Sequence, residues 1–381
     1  MVRRSLVTSA FALSVAYASS VFAADYSQPG PVAFTEAAPP TGLLPGNSAI
    51  SIFTPNAAGQ YPLVIATHGW SADKSNQLGW ARHMASYGYV VIAPTMPNAF
   101  SPDQTVWSAN IRTLATNAVS ASLFPAIAAK VDATKIVYEG FSAGGLASTL
   151  AAKAKAPTLL ILLDPVDNNS NLGAGAIGSV CSPVLNFFTQ PSGCNNNMGW
   201  TAYASNGTGP LVRMGIKAST HCDGEDGPRA LCSSFCGGAA KTTNRDNIRK
   251  YMVAYLEWKL RGAADAAALF STTALSADSA LENTAVLDRP ACSGSVPVPV
   301  DAGAPVDDAG TSVQDAGTLP TEDASTGGTD AGVASDTDAG LDAAAASGGC
   351  SCSTTRNASI SPLALLLGLV PFLRRRTSKR V

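Results

Sequence analysis

The chain has 381 residues and a formal net charge of -2, with 46% hydrophobic and only 14% charged residues. A soluble domain usually carries about a quarter charged residues, so this average conceals segments of different kinds. A near-neutral balance argues against a nucleic-acid partner, because nucleic-acid-binding proteins normally present a basic face. Residues 25–292, with 17 basic and 17 acidic side chains, have the composition of a folded domain.

The first 23 residues are typical of a secretory signal peptide. Arg3 and Arg4 precede an apolar stretch, and the small residues around Val21-Phe22-Ala23 provide a cleavage site. Such a segment is removed on export, so it takes no part in the predicted fold. We therefore predict one exported domain over residues 24–292.

Two further segments follow the predicted domain. Residues 293–349 contain 10 acidic side chains, no basic or aromatic ones, and five copies of Asp-Ala-Gly. Such a composition predicts a disordered linker. Residues 350–381 combine a Cys-Ser-Cys motif, a 14-residue apolar run and an arginine cluster, and resemble the MYXO-CTERM class of bacterial sorting tails. The resemblance implies surface display or processing after export, with the export and sorting machinery as partners; a plain tail anchor is the alternative.

The predicted domain contains an even number of cysteines, namely Cys181, Cys194, Cys222, Cys232, Cys236 and Cys292. An even set in an exported domain favours disulfides. Zinc is the alternative, but no second histidine lies near the last cysteines at the spacing of metal ligands. We also expect Cys222 to tie the loop of the adjacent His221 to a neighbouring part of the chain.

Short apolar runs alternate with helical patterns along the predicted domain. The predicted strands are Tyr61–Thr67, Tyr89–Ala93, Ile136–Glu139, Thr158–Leu163, Pro183–Phe188 and Leu211–Ile216. The predicted helices are Leu78–Tyr87, Asp103–Lys130, Ala143–Lys153 and Ile248–Leu260, the last ended by Gly262. This alternation predicts an α/β fold, with a mostly parallel sheet and helices on both faces.

The pentapeptide Gly140-Phe141-Ser142-Ala143-Gly144 lies between a predicted strand and a predicted helix. This is the motif G-x-S-x-G in the strand-to-helix context that it requires. Its glycines allow a tight turn that exposes the serine hydroxyl above the sheet and directs the helix N-terminus at the site. A structural turn is the alternative. We predict that Ser142 is a nucleophile and that the Ala143 N–H stabilises an oxyanion.

A serine nucleophile needs a base, and the chain has three histidines. His221 follows the last predicted parallel strand, which agrees with the chain order serine, acid, histidine, so we predict it as the base. His83 lies in a predicted helix and is interpreted as a structural or surface group. His68 precedes Trp70 after the first predicted strand. We expect His68 to brace this loop and the Trp70 N–H to be the second oxyanion donor.

The acid of the predicted triad is Asp164, which directly follows the strand Thr158–Leu163. The next strand is followed by residues 189–197, which contain no carboxylate, so elimination also favours Asp164. Asp167 is the competitor, with capping of the turn as its alternative role. The acid would fix the tautomer of His221 and stabilise its charged form.

Together these motifs resemble the α/β-hydrolase superfamily. Within it, THGW, EGFSAGG and LLDPVD are similar to the chlorophyllase and dienelactone-hydrolase-like branch, which includes bacterial polyester-hydrolase relatives. The resemblance implies an α/β-hydrolase fold and places the triad on Ser142, Asp164 and His221. Chlorophyllases carry an arginine after the serine, where this chain has Ala143.

These observations predict an exported serine hydrolase that cleaves small or polymeric carboxylic esters and needs neither a metal nor a cofactor. An amidase or thioesterase with the same triad is one alternative. A surface-displayed binding protein on a catalytically silent scaffold is another.

Two groups of residues near the predicted site keep two interpretations each. Asp223, Glu225 and Asp226 are expected to form a solvated acidic loop, and a calcium site is the less favoured interpretation. Trp200 and Tyr203 are expected either to line an acyl pocket or to cover the sheet.

Overall fold

The computed structural model describes residues 24–38, 44, 48–167, 171–195, 200–225 and 230–290. The predicted signal peptide, linker and sorting tail lie outside the described residues, as do Cys292 and Asp226. Within the described ranges, no helix combines the length and apolarity that crossing a membrane requires.

The strands of the described residues form one sheet in the order β1-β2-β4-β3-β5-β6-β7-β8-β9. Its strands are β1 Phe34–Ala37, β2 Ile50–Pro55, β3 Tyr61–Thr67, β4 Val90–Pro94, β5 Val131–Phe141, β6 Leu159–Leu163, β7 Val184–Phe188, β8 Leu211–Ile216 and β9 Leu281–Leu287. Strands β3 to β8 are parallel, whereas β1, β2 and β9 pair antiparallel at the two edges. The predicted mostly parallel sheet of an α/β-hydrolase fold is confirmed.

Helices cover both faces of this sheet, as predicted. They are α1 Leu78–Ser86, α2 Gln104–Ala118, α3 Pro125–Ala128, α4 Ala143–Ala154, α5 Leu172–Ile177, α6 Trp200–Asn206, α7 Ala230–Phe235, α8 Thr242–Arg261, α9 Ala264–Ala268 and α10 Thr272–Ala277. On one face, Trp80 of α1 and Tyr251 of α8 are fully buried in the first core cluster. On the other, Trp107 of α2 and Ala147 of α4 are fully buried in the second.

The stretch Asp103–Lys130, predicted to be mostly helical, contains two helices. α2 ends at Ala118 and a separate short helix begins at Pro125. The residue before a proline is disfavoured in the helical region, and Phe124 has φ -135° and ψ 64°. Asp103 marks the start correctly, because its carboxylate accepts the N–H of Thr105 at 2.9 Å.

The carboxyl ends of the parallel strands lie along one edge of the sheet. Trp70 follows β3, Ser142 follows β5, Asp164 follows β6 and His221 follows β8. In open α/β sheets, ligand sites form in the crevice beyond this edge. The fold therefore gathers all the predicted site loops at the same place.

Candidate active site

Ser142 occupies a sharp turn between β5 and α4. Its backbone has φ 54° and ψ -118°, a strained conformation for a residue with a side chain. The turn is held on both sides, since the Ser142 N–H donates to the Leu163 carbonyl at 3.0 Å and the Ser142 carbonyl accepts the Val166 N–H at 3.1 Å. The expectation of an exposed hydroxyl is wrong in degree. Ser142 is only 6% exposed, because Gly69 and His221 pack over it.

Two glycines of the motif are required by close packing around this turn. A Cβ on Gly140 would overlap the Gly144 carbonyl, and a Cβ on Gly144 would overlap the carbonyls of Thr67 and His68. Only glycine permits such approaches between backbone segments. The spacing of the motif thus brings α4 directly against the end of β3.

Ser142, His221 and Asp164 form an uninterrupted path of hydrogen bonds. The Ser142 hydroxyl donates to His221 Nε2 at 2.9 Å, and His221 Nδ1–H donates to Asp164 Oδ2 at 2.6 Å. His221 is 4% exposed and Asp164 is 2% exposed. This order leaves Nε2 as the acceptor, so the imidazole can take a proton from the serine hydroxyl.

The loop of His221 is braced by a buried carboxylate. His221 begins a 3-10 turn over His221–Gly224, and Asp223 Oδ2 accepts the Thr220 N–H at 2.8 Å. Asp223 also accepts the Lys241 N–H at 2.5 Å and Asn244 Nδ2 at 2.9 Å. Asp223 is fully buried and Glu225 is 2% exposed, so the expectation of a solvated acidic loop is wrong for both. The carboxylate of Asp223 is buried because it accepts hydrogen bonds from backbone N–H groups.

The environment of Asp164 contains two polar side chains that the sequence reasoning missed. Thr189 and Asn195, on the loop after β7, both donate hydrogen bonds to Asp164 Oδ2. Asp167 is placed differently, since its Oδ2 accepts the Ala174 N–H of α5 at 2.9 Å. Asp167 therefore has the capping contact that the sequence offered as its alternative role.

The two proposed oxyanion donors have free backbone N–H groups. Ala143 is the first residue of α4, so its N–H has no acceptor inside the helix. Across the part of the chain that the structure describes, neither this N–H nor that of Trp70 donates a hydrogen bond. A Cβ on Gly69 would lie 3.1 Å from Ser142 Cβ, so the loop that carries Trp70 passes directly beside the serine.

The other two histidines have structural contacts. His68 is fully buried, and its Nδ1–H donates to the Gly69 carbonyl at 2.8 Å while its Nε2 accepts the Met96 N–H at 2.8 Å. It therefore joins the loops after β3 and β4, as expected for a bracing side chain. His83 Nε2–H donates to the Tyr26 carbonyl at 2.9 Å, and burial lowers the pKa of His83 to about 4.

Disulfides connect the cysteines around the site. Cys194 is bonded to Cys236 and Cys222 to Cys232, and Cys181 is also disulfide-bonded. The Sγ atoms of Cys222, Cys232 and Cys236 lie within 4.8 Å of one another. These bonds use the thiolates that a zinc ion would need, so the disulfide interpretation fits the residues better than the metal. The expected tie from Cys222 thus leads to Cys232.

Tyr203 belongs to the core rather than to an open pocket. It is fully buried in the cluster beneath α2 and α4. Of its two expected roles, covering the sheet is the one that the packing favours. The side chain of Trp200 lies outside the described residues.

One family model matches the part of the chain that carries Ser142 and Asp164. Residues 31–200 match the family model described as Chlorophyllase. This segment, 170 of the 381 residues, is similar to the α/β-hydrolases of that family. The chlorophyllase-like segment includes Trp70, Ser142 and Asp164, and it ends before His221. No curated protein matches the chain. The family consists of α/β-hydrolase-type esterases, and this similarity supports a hydrolase activity.

Proposed function

We propose that this protein is an exported serine hydrolase that cleaves carboxylic esters through an acyl-enzyme. The observation that carries the proposal is the buried path of hydrogen bonds from Ser142 through His221 to Asp164. A serine, an imidazole and a carboxylate in this order form the constellation of nucleophilic acyl transfer. The match to a family of esterases supports the same reaction.

In the first half of the reaction, Ser142 Oγ attacks the ester carbonyl carbon while His221 Nε2 takes the hydroxyl proton. Asp164 keeps the imidazole in the correct tautomer and stabilises its positive charge. The tetrahedral oxyanion accepts hydrogen bonds from the N–H groups of Trp70 and Ala143, whose positions are fixed before the reaction begins. As the carbonyl re-forms, the imidazolium returns its proton to the leaving alcohol and the acyl group stays on Ser142.

In the second half, a water molecule takes the place of the alcohol. His221 removes a proton from this water as it attacks the acyl carbon, and the same two N–H groups hold the second oxyanion. Collapse releases the carboxylic acid and returns the proton to Ser142 Oγ. These steps use only side chains and backbone groups of the chain.

Export belongs to the same proposal. Five cysteines of the described chain are disulfide-bonded, and disulfides persist in oxidising compartments outside the cytosol. The predicted signal peptide supplies the route, and the predicted tail would retain the enzyme at the cell surface. Fractionation of cells that produce the full chain tests this part of the proposal, because recovery of all the protein in the cytosol would contradict it.

The central experiment compares the wild type with Ser142→Ala on a panel of p-nitrophenyl esters, with amide and thioester analogues in parallel. We expect kcat to fall by about 10³-fold or more in the variant, since the nucleophile is lost. Thermal unfolding of both proteins controls for folding. A fluorophosphonate should label the wild type and leave the variant unlabelled. Undiminished turnover by the variant would rule out the proposal, and tight ligand binding without turnover or labelling would favour a binding protein.

A further inference from the structure

The loop that follows β7 holds the same carboxylate of Asp164 that accepts His221 Nδ1–H. Asp164 Oδ2 accepts the Thr189 hydroxyl at 2.5 Å and Asn195 Nδ2 at 3.3 Å, and Oδ1 accepts the Thr189 N–H at 3.2 Å. Thr189 is 3% exposed and Asn195 is 1% exposed. Three hydrogen bonds from one loop to a buried carboxylate restrict its rotation, so they determine the plane in which the acid meets the imidazole.

The amide of Asn195 has its orientation fixed by the backbone. Its Oδ1 accepts the Ser192 N–H at 2.8 Å, and its Nδ2 donates to the Gln190 carbonyl at 2.8 Å. The remaining proton on Nδ2 therefore points to Asp164 and to the Thr189 hydroxyl, which lies 3.3 Å away. A flipped amide would set its oxygen against the Gln190 carbonyl and the Asp164 carboxylate, and its NH2 group against the Ser192 N–H.

Two disulfides join the loop after β7 and the loop of His221 to α7 and the residue that follows it. Cys194, next to Asn195, is bonded to Cys236, and Cys222, next to His221, is bonded to Cys232. Cys232 and Cys236 lie one helical turn apart, since the Cys236 N–H donates to the Cys232 carbonyl at 2.8 Å. We call this pair of disulfides the disulfide clasp.

We propose that Thr189 and Asn195 are positioning residues for Asp164, and that the disulfide clasp fixes them relative to His221. The inference rests on the proposed function, because it assigns how the acid of that triad is aimed. Neither residue touches the reacting atoms. They act through Asp164, whose orientation decides how well His221 Nε2 faces the serine hydroxyl.

The first test uses substitutions that remove single hydrogen bonds. Thr189→Val keeps the shape and loses the hydroxyl, and Asn195→Ala loses the amide. Each should lower kcat by roughly tenfold to a hundredfold, the range for lost bonds to a charged group, with KM almost unchanged. Thr189→Ser retains the hydroxyl and should restore most of kcat.

The control and the double variant separate positioning from simple loss of packing. Thr149→Val removes another buried hydroxyl, one that donates to the Gly145 carbonyl at 2.9 Å, and should leave kcat unchanged. Added to Asp164→Asn, the Thr189→Val change should have little further effect, because the carboxylate that it aims is gone. Full multiplication of the two losses would overturn the inference.

The second test addresses the disulfide clasp. Cys194→Ser with Cys236→Ser should lower kcat, and adding Asn195→Ala should reduce it little further, since both changes release the same loop. Wild-type kcat in Thr189→Val and Asn195→Ala, with Ser142→Ala inactive, would overturn the positioning inference and leave the proposed function standing. An active Ser142→Ala protein would instead contradict the proposed function.

Discussion

Four residues with positive φ surround the candidate site although none of them is glycine. Ser71 lies at 57°, Ser142 at 54°, Asp164 at 45° and Ala218 at 53°. Each occupies a loop that follows a parallel strand, next to or within the proposed triad and oxyanion loop. Such conformations cost about 1–3 kcal/mol each and persist where the surrounding packing enforces them. We infer that these conformations lower the stability of the fold and orient the side chains of the candidate site.

The sequence predicted only part of this arrangement. Ser142 has a motif because the turn needs glycines at fixed spacing, and His221 and Asp164 were found by chain order. Thr189 and Asn195 had no such signal, because threonine and asparagine are common in loops and their use as donors depends on a contact across the fold. Residues 189–197 contain no carboxylate, which excludes a triad acid there but does not indicate hydrogen-bond donors to Asp164.

Replacing Asp164 and Asp167 one at a time tests which of them is the acid of the proposed triad. Asp164→Asn should lower kcat by about 10⁴-fold, because the imidazole loses its tautomer control, while asparagine tolerates the positive φ. Asp167→Asn should keep kcat and reduce stability by about 1 kcal/mol through the weakened cap on α5. Steady-state kinetics and urea unfolding measure the two effects. A larger loss of kcat from the Asp167 variant would reverse the assignment.

Glu139 makes a second prediction at this scale. The side chain is fully buried, and within the described residues its two carboxylate oxygens have no hydrogen-bond partner. Burial raises its pKa well above the usual value, so the folded state keeps the proton. The unfolded chain releases that proton above about pH 4.5, so this group makes the free energy of unfolding fall as pH rises from there.

Glu139→Gln removes this titration. Relative to the wild type, the variant should gain stability as pH rises above about 4.5, because the wild type loses stability over that range. Urea unfolding of both proteins across this range measures the difference. Parallel curves for the two proteins would show that the Glu139 carboxyl does not stay protonated on folding.

At the scale of elements, the central strands and their helices were predicted well and the edges were not. The strands β3, β4 and β6 are nearly continuous apolar runs because both of their faces are covered, and β5, β7 and β8 contain shorter apolar runs that are also visible in a sequence. β1 and β9 lie at the edges and consist mostly of exposed or half-buried positions, so they lack this signal. β2 was missed although it is buried, since its serine, threonine and proline interrupt the apolar run.

The loops after β3 and β4 present an exposed aromatic pair beside the site. Phe100 is 75% exposed and Trp70 is 49% exposed, and their rings meet edge to face with centroids 6.3 Å apart. Trp70 Nε1–H donates to the Phe100 carbonyl at 2.9 Å, which fixes the two loops to each other. Residues 87–102 carry no Lys, Arg, Asp or Glu, so this surface suits an uncharged apolar group.

Phe100→Ser should therefore affect esters according to their chain length. We expect kcat/KM for p-nitrophenyl octanoate to fall by about three- to tenfold, with a smaller effect on the acetate, because contact area with the longer chain is lost. Leu123→Ser is the matched control, since Leu123 is 53% exposed and precedes the amino end of β5, away from the site. Equal losses on both esters would show that Phe100 does not select for chain length.

At the scale of the whole molecule, the segment around Tyr26 is bound to α1 by hydrogen bonds. His83 holds the Tyr26 carbonyl, and the Tyr26 hydroxyl donates to Asp265 at 2.9 Å. The pKa of His83 is lowered from 6.5 to about 4 by burial, so the folded state binds fewer protons than the unfolded chain in that interval. The stability that depends on neutral His83 is complete above about pH 6.5 and is lost as pH falls towards 4.

His83→Gln should reduce this acid sensitivity. Glutamine retains an N–H donor for Tyr26 but does not titrate, so the variant avoids a loss of about 3 kcal/mol between pH 7 and pH 4. Thermal unfolding at pH 7 and pH 4 measures the effect on both proteins. If the wild type and the variant lose the same stability on acidification, another group is responsible. The Glu139 effect has the opposite sign, so each variant is compared with the wild type at the same pH.

The antiparallel edge strands determine where the domain can be attached. β9 begins opposite Ile216, at the edge of the sheet that carries the candidate site, and ends opposite Leu211, at the far edge. β1 likewise starts at the far edge, because Phe34 pairs with Pro55. The start of β1 and the end of β9 therefore both lie at the edge of the sheet away from the candidate site. If the described domain were immobilised through either of these strand ends, its candidate site would face outward, towards substrates too large to diffuse around it.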